Sequence, residues 1–432
     1  MRMRRTYLTQ AFTLLKQNCL FSMLYIAGTG LAIAMTMIMA VVYYVKIAPV
    51  YPEANRMNTL YLSNSKFTQG SGNNTRTMQW AVSYKALQDW FYPVENALVV
   101  SAELHNDLSE NSYIQPADRS GDFPVMVKLT DPAFFKIYSF QFLEGSPFTA
   151  SDLASGISTA VITDDLARRL FGTTDVAGKT VLLNHVEYRI SGVVADVSVL
   201  ATSAYAQVWI PYNSTDISRL AWWEDTMGQM RAVILAYSAA DFPAIRKEVE
   251  QLRRKYNDGL RDSEVFYRGQ PDEQFANLYR KWSEVPDTKA VVMRYTLVIA
   301  ILLIVPAINL SSMTLSRMRK RMAEIGVRKA FGATGGELRH QIFFENLLLT
   351  LFAGILGLAL SYAATFLLNG FLFNNSANAY FSGETTLTPG MLLSPWAFLA
   401  AFGFCLLMNI LSAGIPAWRA SRMNITDAIN QR

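Results

Sequence analysis

Glu324–Ala333 reads E-I-G-V-R-K-A-F-G-A and sits on a short basic connection between two long uncharged segments, Tyr295–Ser316 and Leu347–Phe373. Two further segments, Leu20–Val45 and Met391–Trp418, are equally free of charge. A bilayer core needs about 20 apolar residues in a helix, so all four segments are predicted to span a membrane. With 51% hydrophobic and 17% charged residues, the chain combines a membrane part with a soluble part.

Lys and Arg near the ends of spans orient a membrane protein, because short loops rich in them stay in the cytoplasm. The leader carries Arg2, Arg4, Arg5 and Lys16 with no acid. The connection between the second and third spans carries Arg317, Arg319, Lys320, Arg321, Arg328, Lys329 and Arg339 against Glu324 and Glu337, and the tail adds Arg419, Arg422 and Arg432. These segments are expected inside. The insert Lys46–Arg294 holds 25 basic and 29 acidic residues, and the connection from Leu372 to Met391 has no Lys or Arg, so both are expected outside. The formal charge of +5 therefore reflects the inner membrane face, with the lipid bilayer as partner and no nucleic acid.

The expected organisation is a cytoplasmic amphipathic leader over 1–19, spans over 20–45, 291–316, 342–373 and 395–418, an external domain over 46–290, a cytoplasmic loop over 317–341, a short external loop over 374–394 and a tail over 419–432. Leu8, Ala11, Phe12 and Leu15 give the leader a helical apolar stripe. The first span is longer than the apolar region of a cleaved signal and lacks a clear A-x-A site, so it is read as an anchor. Only Cys19 and Cys405 occur, so no disulfide framework supports the insert, and roughly 245 residues must build their own core.

Within the insert, strands are predicted at Asn58–Ser63, Ala97–Ala102, Phe123–Leu129, Val161–Asp164, Thr180–Leu183, Tyr188–Val194 and Ala232–Tyr237. Helices are predicted at Ser83–Phe91 and Phe242–Tyr256, giving an α+β domain in two lobes. Phe275, Leu278, Trp282 and Val285 step at coiled-coil spacing and suggest a helical stalk before Pro286, with a helix packed inside the domain as the other reading.

Enzymatic signatures are not found. Phe171–Thr180, F-G-T-T-D-V-A-G-K-T, is reminiscent of a phosphate-binding loop, but five residues separate Gly172 from Gly178 where that motif has four, so a turn before a strand is the better reading. His105, His185 and His340 are scattered, with no metal-ligand spacing. The span interiors carry no Asp, Glu, Lys, Arg or His, with Glu345 at the inner edge of the third, so an ion-coupled transport site has no support and any transport work draws its energy from a partner.

In the basic connection, Met318, Met322 and Ile325 form an apolar helical stripe continued by Phe331, Gly332 is placed to stop that helix, and Thr334-Gly335-Gly336-Glu337 has the form of a capping box that starts the next. A lever of two helices around a tight break results; a membrane-hugging loop is the other reading of the same residues. Gly28 and Ala32 on the first span, and Ala353, Gly357 and Ser361 on the third, place small residues at four-residue spacing, suited to packing within the chain or across a dimer. Pro306 is expected to kink the second span.

The run Arg317–Ala333, R-M-R-K-R-M-A-E-I-G-V-R-K-A-F-G-A, resembles the signature of MacB/FtsX-type permeases, matched at Glu324, Ile325, Gly326, Arg328, Lys329, Ala330, Gly332 and Ala333. One span, a large insert and three closing spans is similar to that family's layout. Leu166–Gly178 and Tyr188–Asp196 resemble parts of its periplasmic core, and Pro416, Ala417, Ala420 and Ala428 its ending; Asn424-Ile425 and Ala428-Ile429-Asn430 depart from the D-P and A-L-R often found there. The resemblance implies a bacterial inner-membrane permease with both termini cytoplasmic, working as a homo- or heterodimer. A cytoplasmic ABC ATPase, separate from this chain, would bind ATP and Mg, while the chain itself holds no cofactor and catalyses nothing. Glu324, Ile325, Gly326, Arg328, Lys329, Ala330, Phe331, Gly332 and Ala333 would form the coupling element that receives the ATPase's motion and passes it to the periplasmic domain, where an adaptor or substrate protein could engage. Export or extraction of a periplasmic or membrane substrate is the first expectation. Regulation of a cell-wall hydrolase in the manner of FtsX, and a receptor or scaffold without an ATPase, are the others.

Overall fold

The computed structural model describes residues 19–70, 74–105, 112–214, 219–302, 304, 327, 331–332, 334–368, 372, 398–400, 402–403 and 406–407. It divides into a helical unit (residues 1–43, 289–372 and 387–432) and an α+β unit (residues 44–288 and 373–386).

Two described helices are long and apolar enough to cross a membrane, over Ser22–Ile47 and Leu347–Leu367. Each is part of a longer helix, Cys19–Ile47 and Gly335–Leu367. Residues 288–302 are also helical, at the start of the expected second span, and the described positions of the expected fourth span, 398–400, 402–403 and 406–407, are helical too. Pro306 and most of the fourth span lie outside the described residues.

The described residues of the α+β unit form fifteen strands: β1 (Thr59–Leu62), β2 (Ser65–Gln69), β3 (Arg76–Trp80), β4 (Val99–Leu104), β5 (Ser112–Pro116), β6 (Phe123–Val125), β7 (Val127–Thr130), β8 (Phe142–Gly145), β9 (Thr159–Thr163), β10 (Thr180–Leu183), β11 (Val186–Val194), β12 (Val208–Pro211), β13 (Met230–Leu235), β14 (Ser263–Phe266) and β15 (Asp272–Glu273). Twelve form one mixed sheet in the order β15-β1-β13-β4-β7-β12-β9-β11-β10-β5-β6, with β8 added to β11. β2, β3 and β14 form a separate small sheet. Among the described residues, only β7–β12 and β9–β11 pair in parallel; the other strand pairs are antiparallel.

The central strands of the large sheet are buried on both faces, which is why they read as unbroken apolar runs. Side chains alternate across a strand. Leu60 and Leu62, Ala160 and Ile162, Val208 and Ile210, and Met230, Ala232 and Ile234 therefore enter one core, joined by Ala86, Leu87 and Trp90 of the helix Tyr84–Trp90 and Phe242, Ile245 and Val249 of the helix Phe242–Asn257. Tyr61, Val161, Trp209, Val233 and Leu235 enter the opposite core, joined by Phe134, Ile137, Tyr138 and the loop from Val197 to Ala206.

The predicted helices and most predicted strands form within a few residues of the expected bounds. Ser83 caps the helix Tyr84–Trp90 by accepting from the Ala86 amide at 3.0 Å. Two expectations are corrected. Phe123–Leu129 is two strands, because β6 pairs with β5 at one end of the sheet while β7 pairs with β4 and β12 at its centre. The helical stalk is not continuous: the helix Gln274–Tyr279 ends at an extended Arg280, and Trp282 takes φ 54°. Arg280 explains the break. Its guanidinium pairs with Asp272, donating to Oδ1 at 2.9 Å, and its Nη1 donates to the carbonyls of Ser283 (3.2 Å) and Glu284 (2.8 Å), which folds the chain back on itself.

Candidate functional site

Three places define the site: the end of the helix Cys19–Ile47, its contact with the helix Gly335–Leu367, and the basic connection that precedes the latter. The first is the end of the helix Cys19–Ile47. A helix leaves its last carbonyls without partners, and an end buried in protein must find donors for them. Arg56 supplies them: its Nη1 donates to Val45 O at 2.9 Å and Ala48 O at 2.8 Å, and its Nη2 reaches Leu200 O at 2.5 Å. Its Nε donates to Glu53, whose other carboxylate oxygen accepts the amides of Ser203 and Ala204, both at 2.8 Å. Both side chains are 0% exposed. Removing two charges from water costs several kcal/mol per ion, and only a full set of partners makes such burial tolerable. Here both charged groups have such a set, so the last turn of the helix is locked to the loop that covers the sheet. Gln274 adds a bond from its Nε2 to Lys46 O at 3.3 Å.

The second place is the contact between the two membrane helices inside the helical unit. A Cβ built on Gly357 would lie 2.7 Å from Gly30 O and 2.8 Å from Ile33 Cβ; one built on Gly30 would lie 3.2 Å from Ala353 O. Glycine at both positions lets the backbones meet. Ala32, Ala353 and Ser361 are buried, and Ile33 and Met37 pack with Leu358 and Phe398. Among the small residues singled out from sequence, Ala353 and Gly357 therefore lie in a contact within the chain. Gly28 faces open space, with nothing within 4 Å of a built Cβ, and Ser361 spends its hydroxyl on Leu358 O at 2.9 Å along its own helix. Gly30, two residues from Gly28, was not singled out; the G-T-G run at Gly28–Gly30 was its only signal.

The third place is the basic connection. Phe331 donates its amide to Val327 O at 3.1 Å, closing a helical turn, and Gly332 follows at φ 94°, a left-handed stop that glycine adopts without strain. Thr334 and Glu337 form the expected capping box: Thr334 Oγ1 accepts from the Glu337 amide at 3.3 Å, and Glu337 Oε2 accepts from the Thr334 amide at 2.9 Å. The Thr334 amide, followed by its hydroxyl, holds the Glu337 carboxyl below the usual range. Phe331 is 89% exposed at this apex, beside an exposed Val327. Glu324, Ile325, Gly326, Arg328, Lys329, Ala330 and Ala333 lie outside the described residues.

The glycine-rich turn at Phe171–Thr180 is a turn entering β10. Glu144 Oε2 accepts the amides of Val176 (2.8 Å) and Ala177 (3.3 Å), so a carboxylate occupies donors that a phosphate would need. Gly172 ends the helix Asp164–Phe171 at φ 71°, and Lys179 lies over the Phe171 ring at 5.0 Å from its centre. Among the described residues, no group of three or more His, Cys, Asp or Glu side chains is placed to hold a metal ion.

Residues 22–252 match the profile of the MacB-like periplasmic core domain, and residues 296–425 that of the FtsX-like permease C-terminal region. The chain is 29% identical over 307 residues to the macrolide export ATP-binding/permease protein MacB of Sodalis glossinidius, which covers 69% of this chain and 42% of that protein. It is 28% identical over 302 residues to the MacB of Escherichia coli K12, covering 68% and 42%. The chain thus spans less than half the length of these curated relatives. Among solved structures it is similar to the extracellular domain of the ABC-type transporter YknZ from Gram-positive bacteria (TM-score 0.34, 18% identity, 48% of this chain and 100% of that one) and to the periplasmic region of MacB from Actinobacillus actinomycetemcomitans (TM-score 0.32, 16% identity, 48% and 88%).

Proposed function

The chain belongs to the MacB/FtsX-like family of ABC permeases, and on that premise we propose that it transmits the motion of a cytoplasmic ABC ATPase to its α+β domain outside the membrane. That work moves a periplasmic or membrane substrate, and ATP and Mg bind on the ATPase. Two copies of the chain, or this chain and a paralogue, form the working pair in a bacterial inner membrane.

The observation that carries this reading is the Arg56–Glu53 lock. Transmission of motion needs a stiff joint between a membrane helix and the domain it moves. Arg56 ties the last turn of the first membrane helix to the loop Val197–Ala206, which packs on the sheet, so displacement of that helix pulls on the core rather than on a slack linker. In the basic connection, the exposed Phe331 followed by the Gly332 stop and the Thr334–Glu337 cap supplies an apolar knob before a capped helix start, suited to a groove on a partner. In sequence, Arg328 and Lys329 precede it by three and two residues.

The test is affinity purification of the full chain from native membranes, wild type against Arg328→Glu/Lys329→Glu. An ABC ATPase recovered with the wild type and lost with the charge reversal is expected. No ATPase with either would overturn the proposal, and equal recovery with both would remove the basic connection from it.

A further inference from the structure

The small sheet runs β14-β2-β3, so β2 is flanked on both sides and β14 and β3 are its edges. An edge strand offers unpaired N–H and C=O groups to any other strand, and folded proteins cover or interrupt such edges. β14 is covered. Asn257 Nδ2 and Arg253 Nη1 donate to Val265 O at 3.1 and 2.6 Å, and Asn257 Oδ1 accepts the Val265 amide at 3.3 Å.

β3 has no such cover. Among the described residues, the backbone of Arg76–Trp80 bonds to β2 and to nothing else. Gln79 Oε1 accepts the Ser283 amide at 2.9 Å, which engages its side chain and leaves its backbone. Arg76, Thr77 and Met78 are exposed, no proline or glycine interrupts the strand, and Arg76, its one charge, makes no ion pair among the described residues.

Register places Val265, Phe67 and Met78 in one row across the sheet. Val265 and Phe67 are fully buried, whereas Met78 at the edge is 45% exposed, so the row ends apolar and uncovered. A second β3 laid antiparallel on the first, Met78 opposite Met78, would carry that row on into the second copy. The same register sets Arg76 of each copy opposite Trp80 of the other, and Thr77 opposite Gln79, with no like charges opposed. Trp80 is half-buried against His105 and Trp282, which fixes its ring at this edge. Arg76 would then find the aromatic partner it lacks, and directly opposed pairs of this kind stabilise a sheet.

We propose that β3 pairs with β3 of a second copy of this chain, joining two small sheets into one antiparallel sheet. The order R-T-M-Q-W, with a cation at one end and an indole at the other, complements itself and so selects a second copy over an unrelated strand. This pairing rests on the reading that two copies work together, and it names the surface outside the membrane through which they meet.

The experiment is disulfide trapping in native membranes of the full chain carrying Cys19→Ser, Cys405→Ser and Met78→Cys. Opposed residues of an antiparallel pair have Cα atoms about 4.5–5.5 Å apart, within the about 4.4–6.8 Å that a disulfide spans. Copies bearing two different tags are expressed together, so co-purification of the tags without oxidation reads whether copies pair at all. Oxidation is expected to link Met78→Cys into a dimer and to leave Val186→Cys unlinked, a similarly exposed position (52%) on β11. Adding Arg76→Glu, a change at an exposed side chain, should slow the linkage about fivefold, the loss of two exposed cation–π contacts. Tags that co-purify with no Met78→Cys dimer, or with one no faster than that of Val186→Cys, overturn the β3 pairing and leave the paired reading standing. Tags that do not co-purify overturn both. An adduct of Met78→Cys with another protein, or a rate unmoved by Arg76→Glu, also overturns the pairing of β3 with itself.

Discussion

Arg56 and Glu53 form a fully buried ion pair just beyond the first membrane helix, and the sign of their effect is fixed by what removal leaves behind. Arg56→Met strands a buried carboxylate, so it should destabilise the α+β unit by ~3–5 kcal/mol, whereas Arg56→Met with Glu53→Met should cost markedly less. Thermal unfolding of the full chain, followed by tryptophan fluorescence, checks this; equal losses in the single and double variants would mean that the packing of the two stems, and not their charge, matters. His105 gives a second prediction at this scale. Its imidazole meets the Trp80 ring edge-on at 4.9 Å, and burial first, then Arg231, depresses its pKa to about 3. The folded state thus refuses a proton that the unfolded state accepts near pH 6.5. Its contribution is intact above that pH and is lost as pH falls toward 3. Between pH 7 and pH 5, wild type should lose stability relative to His105→Gln, read as a difference in unfolding midpoint.

At the scale of elements, the contact between the first and third membrane helices depends on two backbones approaching without side chains between them. Gly357→Val places carbon where Gly30 O and Ile33 already stand, at 2.7 and 2.8 Å from the first added atom, and should separate the helices. Gly28→Val meets nothing within 4 Å and is the control. The monodisperse fraction after extraction in mild detergent should fall for the first variant and hold for the second; a fall in both would point to the Gly28 face as an interface between copies. The start of the third helix offers a smaller test. Thr334→Ala removes one half of a capping box and should cost ~1 kcal/mol of helix stability. Hydrogen exchange at the amides of Gly336 and Glu337 should rise accordingly, with the middle of the same helix unchanged.

For the whole molecule, the twelve-stranded sheet is the body around which the two cores of the α+β unit are built. Its central strands are buried on both faces, so loops that cover them move only with a loss of packing. On the proposed reading such a joint transmits force, as a flexible tether would not. In a membrane preparation containing the partner ATPase, adding ATP and Mg should therefore alter protease cleavage of the α+β unit in wild type. The Arg56→Met/Glu53→Met chain should keep the ATPase in pull-down yet lose that ATP-dependent change. Persistence of the change in the double variant would show that motion travels by another route.

The sequence by itself determined what depends on near neighbours. The apolar runs of β1, β9 and β13, helical caps at Ser83 and Thr334, the stop at Gly332, and the apolar lengths of the two described membrane helices all follow from residues within a few positions of one another, because backbone geometry and solvent exposure are set there. The family resemblance was legible for the same reason, in a contiguous run of residues. Tertiary structure alone decided what joins distant positions. Arg56 reads in sequence as an ordinary surface charge, and only the fold brings Leu200 to its guanidinium and Ser203 to the carboxylate of Glu53. Phe123–Leu129 reads as one strand, yet different partners claim its two halves. The coiled-coil spacing from Phe275 to Val285 gives way to Arg280, whose pairing with Asp272 outweighs the propensity of less than two heptads. Burial of charge and competition for strand partners are paid in contacts across the chain, and such contacts exist only once the chain has folded.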